Sequence, residues 1–250
     1  MCGRFVVKSS REVLRDMFGE YEVIEQYEPN FNIAPSGKAP VYVQNKEKKQ
    51  RRNLQWGLVP FFFKDPKSGF RMINSRAETI HEKPSFRKPF RRQRCAVAAD
   101  GFYEWRKMGK NKVPYYISLQ SDEPMVFAAL YDHWKKTEGS YLSTFSIVTV
   151  EANSLMAQIH NDKKRMPAII HSGSDLDTWM DNSIEDTEKL LPLLNPLPSG
   201  QLKAHMVAKE VGSPAHNYRE LTAPVDDVYI SKMYGKVPEL VYQCSSPLRS

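Results

Sequence analysis

The chain has 250 residues, and its 36 Lys and Arg against 29 Asp and Glu give a formal net charge of +7. This length, with 41% hydrophobic residues, is typical of one large globular domain with a substantial core. No apolar run approaches the roughly 18 residues that cross a bilayer, and the N-terminus lacks a basic-then-apolar signal pattern. We therefore expect neither a membrane protein nor a secreted one.

The three cysteines, Cys2, Cys95 and Cys244, lie far apart and form no CxxC pair. This spacing argues against a zinc site and against a disulfide scaffold. We expect a cytoplasmic protein (nucleoid-associated if bacterial) with reduced thiols, no metal ion and no organic cofactor.

Basic residues are concentrated in three stretches, Lys46–Arg52, Lys83–Arg94 and Arg106–Lys112. The second stretch has six basic residues, no acid, and two aromatic rings, Phe86 and Phe90. This pattern is typical of a groove for single-stranded nucleic acid, because phosphates meet the charges and bases stack on the rings. It is equally compatible with the solvated face of a basic protein.

Local patterns predict many short strands and few helices. Ser9 and Glu12 form a capping box that begins a first helix, and Gly19 ends it. Segments rich in β-branched and aromatic residues then predict strands at Ala39–Gln44, Leu54–Val59, Cys95–Glu104, Pro114–Leu119, Met125–Trp134, Thr144–Val150, Ala168–His171 and Lys203–Ala208.

Three further helices are predicted in the second half of the chain. Asn153 caps the first, which ends at Ile159. The other two, Leu176–Met180 and Ile184–Leu194, are opened by Ser174 and Ser183, and Pro192 should disturb the last.

These elements predict an α+β fold with a single domain over residues 1–250. Its centre is a curved, mainly antiparallel, barrel-like β-sheet with short peripheral helices. The last roughly twenty residues are polar and are expected to fray as a tail.

Cys2 is the most informative residue, because methionine is usually trimmed before a small side chain and Cys2 then becomes the N-terminus. Its α-amine, with a pKa of about 7.7–8.0, and its thiol, of about 8.5, would lie on adjacent carbons. An aldehyde can form an imine with such an amine, and the sulfur can close on it to give a thiazolidine. Alternatively, Cys2 is a small hydrophobic residue that packs in the core.

Four other residues carry candidate chemistry. Asn74 and Arg76, two residues apart, lie on one side of an extended segment. Glu104 is flanked by large rings at the end of an apolar strand, which favours a raised pKa and proton transfer. His160 follows the short helix. Taken singly, Glu104 is compatible with an ordinary strand-end glutamate and His160 with a structural histidine.

Together these segments resemble the SRAP family (SOS-response-associated peptidase). Six blocks carry the resemblance, in the family's order: Met1–Phe5, Asn32–Pro35, Trp56–Pro60, Asn74–Glu78, Gly101–Trp105 and His160–Pro167. The resemblance implies a DNA-damage-response enzyme that crosslinks covalently to abasic sites in single-stranded DNA. It also implies removal of Met1 by the protein itself, a monomer, and a lyase side activity.

The resemblance implies roles for individual residues. Cys2 is the nucleophile, Asn74 holds the opened sugar and the Cys2 backbone, Glu104 moves protons, and His160 assists ring opening and reversal. The remaining candidates bind DNA: Arg4, Arg76 and Arg165 through phosphates, and Trp56 and Trp105 by covering a base.

One departure from the family pattern concerns Arg165. Typical members have Arg-Met-Pro almost directly after the histidine, whereas here Asn161–Lys164 intervene. The sequence therefore leaves the placement of Arg165 open.

Two other functions stay open from the sequence. Class II glutamine amidotransferases also begin Met-Cys-Gly, so an N-terminal-nucleophile amidohydrolase is one alternative. The other is a reader of single-stranded or modified DNA that makes no covalent bond.

Overall fold

A computed structural model describes residues 2–45, 48–170 and 173–241. Within these ranges the helices are α1 (Arg11–Phe18), α2 (Pro84–Arg92), α3 (Ser154–Ile159), α4 (Ser174–Met180), α5 (Thr187–Leu190) and α6 (Asp227–Tyr234). The strands are β1 (Arg4–Val7), β2 (Glu22–Val23), β3 (Asn30–Ile33), β4 (Lys38–Gln44), β5 (Lys49–Trp56), β6 (Asn74–Arg76), β7 (Arg94–Ala99), β8 (Gly101–Met108), β9 (Asn111–Leu119), β10 (Met125–Lys135), β11 (Tyr141–Glu151), β12 (Arg165–Pro167), β13 (Ile169–Ile170) and β14 (Leu202–Met206).

Five strands close into a barrel. The ring runs β11, β10, β7, β4 and β5, and its last pair, β5 with β11, is parallel while the other pairs are antiparallel. Buried apolar side chains form the main core, in which the Phe5 ring lies 5.1 Å from Trp56 and 6.0 Å from Phe127, both edge to face. The predicted α+β fold with a barrel-like sheet is confirmed.

A second sheet lies beside the barrel, in the order β14, β9, β8, β1 and β3. Asp100 marks the point where the chain passes from β7 in the barrel to β8 in this sheet. Its carboxylate accepts hydrogen bonds from the backbone of Lys8 and Ser9, at 2.6 and 3.1 Å, and so also fixes the end of β1. The predicted strand Cys95–Glu104 is therefore two strands in two sheets.

Other element boundaries differ from the predictions for local reasons. The cap of α1 is Ser10, because Ser9 binds Asp100 instead. The strand predicted to reach Val59 ends at Trp56, since Gly57 turns the chain with φ of +121°. The helix predicted from Ile184 is shortened to α5, which Asp186 caps.

The starts of α3 and α4 and the position of Pro192 can also be compared with the predictions from sequence. Asn153 caps α3 as predicted, through Met156 N at 2.9 Å, whereas Gly173 and not Ser174 precedes α4. Pro192 lies in a 3₁₀ turn beyond α5. His171 and Cys244 lie outside the described residues.

The basic stretch Lys83–Arg94 forms a helix that the sequence analysis missed. Its two rings, Phe86 and Phe90, are buried beneath α2 and are not available to stack on bases. Arg94 is also buried, and its guanidinium donates to the backbone carbonyls of Phe90 and Trp179, both at 2.8 Å. The interleaving of charges and rings here is therefore that of an amphipathic helix packed on the barrel.

Gly101 provides a test of how tightly the second sheet is packed. A Cβ on this residue would lie 2.3 Å from the Tyr116 ring, whose hydroxyl donates to Asp100 O at 3.0 Å. Gly101→Ala should destabilise the fold by about 1–3 kcal/mol in denaturant unfolding, because the buried ring must move. The control Gly212→Ala, where no atom lies within 4 Å, should change stability little, and equal effects would contradict the packing argument.

Candidate active site

Cys2 lies two residues before the first residue of β1 and is fully buried in the main core. Its carbonyl oxygen accepts a hydrogen bond from Asn74 Nδ2 at 2.9 Å. Asn74 begins β6, which is held parallel to β11 with Asn74 opposite Ile147. The pairing of β6 with the barrel therefore places this amide against the start of the chain.

Asn74 also has an unused acceptor. Its Oδ1 is buried and has no hydrogen-bond partner among the described residues. A buried acceptor without a partner costs stability, so its retention points to a ligand group that donates to it.

Glu104 comes to the site from β8, by the alternation of side chains along the strand. Phe102 and Glu104 point to the main core, while Tyr103 and Trp105 point to a smaller cluster on the other face of the sheet. The Glu104 side chain is only 7% exposed, and its Oε1 accepts from the backbone N–H of Trp105 at 3.1 Å.

The thiol of Cys2 is held in its protonated form. Burial raises its pKa well above the ordinary value, and the negative charge of Glu104 raises the pKa further. The backbone carbonyl of Arg4, 3.9 Å from Sγ, accepts its weak hydrogen bond. A thiolate is therefore disfavoured at Cys2 in this structure.

His160 ends α3 and lies beside Glu104, with its Nδ1 3.8 Å from Glu104 Oε2. The backbone of Arg165 fixes the ring, because Nδ1 lies 3.0 Å from Arg165 O and 3.2 Å from Arg165 N. When Nδ1 carries the proton it donates to that carbonyl, and in the other tautomer it accepts from that N–H. A carboxylate and an imidazole thus meet in a buried site.

The four extra residues after His160 form a closed turn. Lys164 N donates to His160 O at 2.8 Å, and Lys164 adopts a left-handed conformation with φ of +49°. The carbonyl of Lys164 then accepts from Ala152 N at 3.0 Å. The turn takes up the additional length, so Arg165 returns to the histidine ring despite the longer spacing.

Arg165 is buried and serves the fold. Its guanidinium makes a two-pronged ion pair with Glu78, in which Nη2 lies 3.0 Å from Oε2, and Nη2 also donates to Thr149 O at 2.6 Å. This differs from the expectation of a phosphate ligand, because the charge is already neutralised inside the protein.

Arg4 is likewise engaged within the protein. Its guanidinium donates to Asn32 Oδ1 and to the carbonyls of Val211 and Gly212, at 2.9–3.0 Å, and so ties β1 to the C-terminal part of the chain. Arg76, in contrast, is exposed at the end of β6, two residues from Asn74. Of the three arginines that were candidates for phosphates, Arg76 is the one that the structure leaves exposed.

The two tryptophans also have different environments. Trp56 is fully buried, donates from Nε1 to Ile73 O at 2.8 Å, and leaves no face open to a base, contrary to expectation. Trp105 is half-buried on the face of β8 opposite Glu104.

The sequence analysis missed two residues at this site. Glu78 belongs to a quoted block, but only the fold shows that it neutralises Arg165. Asn161 was noted only as part of the extra spacing, and its side chain bonds reciprocally to the backbone of Lys107, with both distances 2.9 Å. Both contacts join residues far apart in sequence, which no local pattern reports.

The site therefore belongs to a protein with a cysteine next to the N-terminus, held by an amide and flanked by an acid–base pair. The chain belongs to the SOS response associated peptidase (SRAP) family, whose profile matches residues 1–214. The resemblance seen in the six sequence blocks is thus confirmed.

Similar proteins are known in bacteria and animals. The chain is 38% identical to the abasic site processing protein YoqW of Bacillus subtilis over 88% of this chain and 98% of that protein. It is 31% identical to the abasic site processing protein HMCES of Pongo abelii, over 90% and 77%. A solved structure from Bacteroides thetaiotaomicron, 29% identical, superposes with a TM-score of 0.79 over 90% of this chain and all of that one.

No cluster of three or more His, Cys, Asp or Glu side chains has a metal-binding arrangement in the part of the chain that the structure describes. No helix within the described ranges is long and apolar enough to cross a membrane.

The Arg165–Glu78 pair should contribute stability that depends on pH. Burial raises the pKa of Glu78, but the hydrogen bond with Arg165, a backbone hydrogen bond and the charges of Arg165 and Arg76 together outweigh this, so the pKa is lowered overall. Glu78→Gln should cost about 1–2 kcal/mol near neutral pH, a value reduced by the 47% exposure of the Glu78 side chain.

The sign of the pH effect follows from the lowered pKa. The stabilisation is present above the ordinary glutamate value of about 4.3 and is lost as the pH falls through the lower folded value. Denaturant unfolding of both proteins should therefore converge in acid. Glu82→Gln, on an exposed neighbour, is the matched control, and a pH-independent difference would exclude this ion pair as the cause.

Proposed function

We propose that this protein crosslinks covalently to abasic sites in single-stranded DNA through the mature N-terminal Cys2. One observation carries the proposal: Cys2, Asn74, Glu104 and His160 come from four separate chain segments and meet in one buried site. The names of the relatives, as abasic site processing proteins, support the same substrate.

The reaction begins at the α-amine of Cys2 once Met1 has been removed. An abasic sugar is mostly a closed hemiacetal, so an acid and a base must first open it to the aldehyde. The amine then adds to the aldehyde carbon and water leaves, which gives an imine. The order is consistent with the raised pKa of the Cys2 thiol, since the amine is the better nucleophile while the sulfur stays protonated.

Ring closure completes the crosslink. The bond from Sγ to the former aldehyde carbon forms, and the thiol proton moves to the imine nitrogen, giving a thiazolidine with no oxidation or reduction. In this scheme Glu104 carries protons between the sugar oxygens, the amine and the thiol. His160, 3.8 Å from Glu104, assists sugar opening and reversal.

Asn74 holds the reacting groups in place. Its Nδ2 already binds the Cys2 carbonyl, and its buried Oδ1 is available to accept from a hydroxyl of the opened sugar. A fixed amide of this kind reduces the freedom that the amine and aldehyde lose on reaction.

DNA binding falls to exposed groups around the site. Arg76 contacts a phosphate beside the lesion, and the open part of Trp105 covers a neighbouring base. We propose that the protein binds DNA as a monomer and that it removes Met1 itself. We also propose a lyase side activity, because an imine acidifies the adjacent carbon of the sugar. In a cell the crosslink would shield the lesion during the damage response.

Cys2→Ser tests whether the sulfur closes the adduct. Serine keeps the amine, so an imine still forms, but no stable thiazolidine follows. Incubation with an abasic oligonucleotide should give a heat-stable shifted band on a denaturing gel for the wild type and a heat-labile one for Cys2→Ser. The buried Cys95→Ala is the control and should behave as wild type.

Other outcomes of this assay discriminate the alternatives. Intact mass should show Met1 absent from the reactive protein, and a crosslink made with Met1 retained would exclude the amine. Glutamine hydrolysis without an adduct would indicate the amidohydrolase, and a shift confined to native gels would indicate the non-covalent reader.

Glu104→Gln should lower both the crosslinking rate and the pKa of the Cys2 thiol. Crosslinking should slow by roughly 10²–10⁴-fold, because glutamine cannot exchange protons. The pKa of the Cys2 thiol should fall, because a negative charge that raises it is removed, although burial still holds it high. The rate of Cys2 alkylation at fixed pH, which follows the thiolate fraction, measures the second effect, with the exposed Glu151→Gln as control. Slow crosslinking with an unchanged alkylation rate would show that the charge of Glu104 does not act on the Cys2 thiol.

A further inference from the structure

The edge of β8 changes its partner near the active site. β1 pairs with β8 only from Gly101 to Tyr103, and the N–H groups of Trp105 and Lys107, two residues apart, point to the same edge beyond that pairing. Trp105 N–H donates to Glu104 Oε1 at 3.1 Å. Of the two N–H groups that β1 does not reach, that of Trp105 therefore orients the Glu104 carboxylate.

Asn161 takes the other position. Its Oδ1 accepts from Lys107 N and its Nδ2 donates to Lys107 O, both at 2.9 Å, so one side chain replaces a strand partner at this residue. Asn161 directly follows His160, whose carbonyl is bound by Lys164 N. The loop that carries the imidazole is thus attached to β8 at Lys107, and the carboxylate belongs to the same strand three residues earlier, at Glu104.

We propose that Asn161 is a positioning residue that sets the separation of His160 from Glu104. The inference rests on the proposed function for its catalytic consequence. The distance of 3.8 Å between Nδ1 and Oε2 is longer than a hydrogen bond, so a small movement of the loop changes how readily a proton passes between these two atoms. Asn161 itself is exposed and touches no reacting atom in this scheme.

Removal of the side chain should loosen His160 without removing it. Asn161→Ala should slow crosslinking by roughly tenfold, less than the 10²–10⁴ that a positioned acid or base contributes. Since the effect acts through His160, adding Asn161→Ala to His160→Ala should slow the reaction no further.

Gln158 offers a closely matched control. It makes the same kind of reciprocal pair, with Val241 N at 2.9 Å and Val241 O at 2.6 Å, but it ties down the C-terminal segment and not β8. Gln158→Ala should leave the crosslinking rate unchanged. An equal loss in both variants would indicate general loosening of α3 and overturn the proposal.

A spectroscopic measurement tests the positioning independently of activity. In protein with ¹⁵N-labelled histidine, the His160 ring, identified by its absence in His160→Ala, should show the separated nitrogen shifts of one tautomer. In Asn161→Ala the shifts should move together, as for a ring free to exchange tautomers.

The rate and the spectrum together separate the two hypotheses. A wild type that forms no adduct would refute the proposed function, while the nitrogen shifts would still decide the role of Asn161. Multiplying rate losses in the double variant, or unchanged shifts in Asn161→Ala, would overturn the positioning role.

Discussion

The pairing of β11 with four other strands is the constraint on which the structure depends. β11 joins β10 and β5 to close the barrel, and it also carries β6 and β12 on its length. Asn74 enters the site on β6, and Arg165 on β12 returns to His160. Because β11 sets the register of both β6 and β12, the strand that closes the barrel also fixes the geometry of the site.

The site combines features that a core normally excludes. Cys2, Glu104 and His160 are almost fully buried, and Asn74 keeps an acceptor without a partner. Burial is costly for each of these groups, and the hydrogen bonds from Trp105 N–H and to the Arg165 backbone offset part of the cost. The same burial raises the pKa of the Cys2 thiol, which is consistent with the proposed order in which the amine reacts first.

Some arginines of the chain make hydrogen bonds within the fold, and others are exposed to solvent. Arg4, Arg51, Arg94 and Arg165 donate to carbonyls or carboxylates within the fold, and the last three are buried. Arg76 and the outer face of α2 remain exposed. A net charge counted from sequence therefore overstates the number of groups that can meet a phosphate, because a buried guanidinium is already compensated.

The sequence predicted features that depend on neighbouring residues and missed those that depend on residues distant in the chain. Local signals gave the α3 cap at Asn153, the stop at Gly19 and the strand character of β4, β9, β10 and β11. Local signals failed where a residue distant in sequence made the contact. Ser9 donates a hydrogen bond to Asp100, and Ser10 therefore caps α1 in its place. The helix α2 was missed because its prolines and many charges hide the short apolar stripe of Phe86 and Phe90.

By itself the sequence determined the family, the chemistry available at Cys2, and the four residue types that such chemistry needs. These follow from covalent structure and from motif order, which are properties of the chain. Only the tertiary structure decided which charged and aromatic residues are free to act. It placed Trp56 and Arg165 in the interior, left Arg76 outside, and brought Asn161 to Lys107, because each of these outcomes depends on contacts between segments that are distant in sequence.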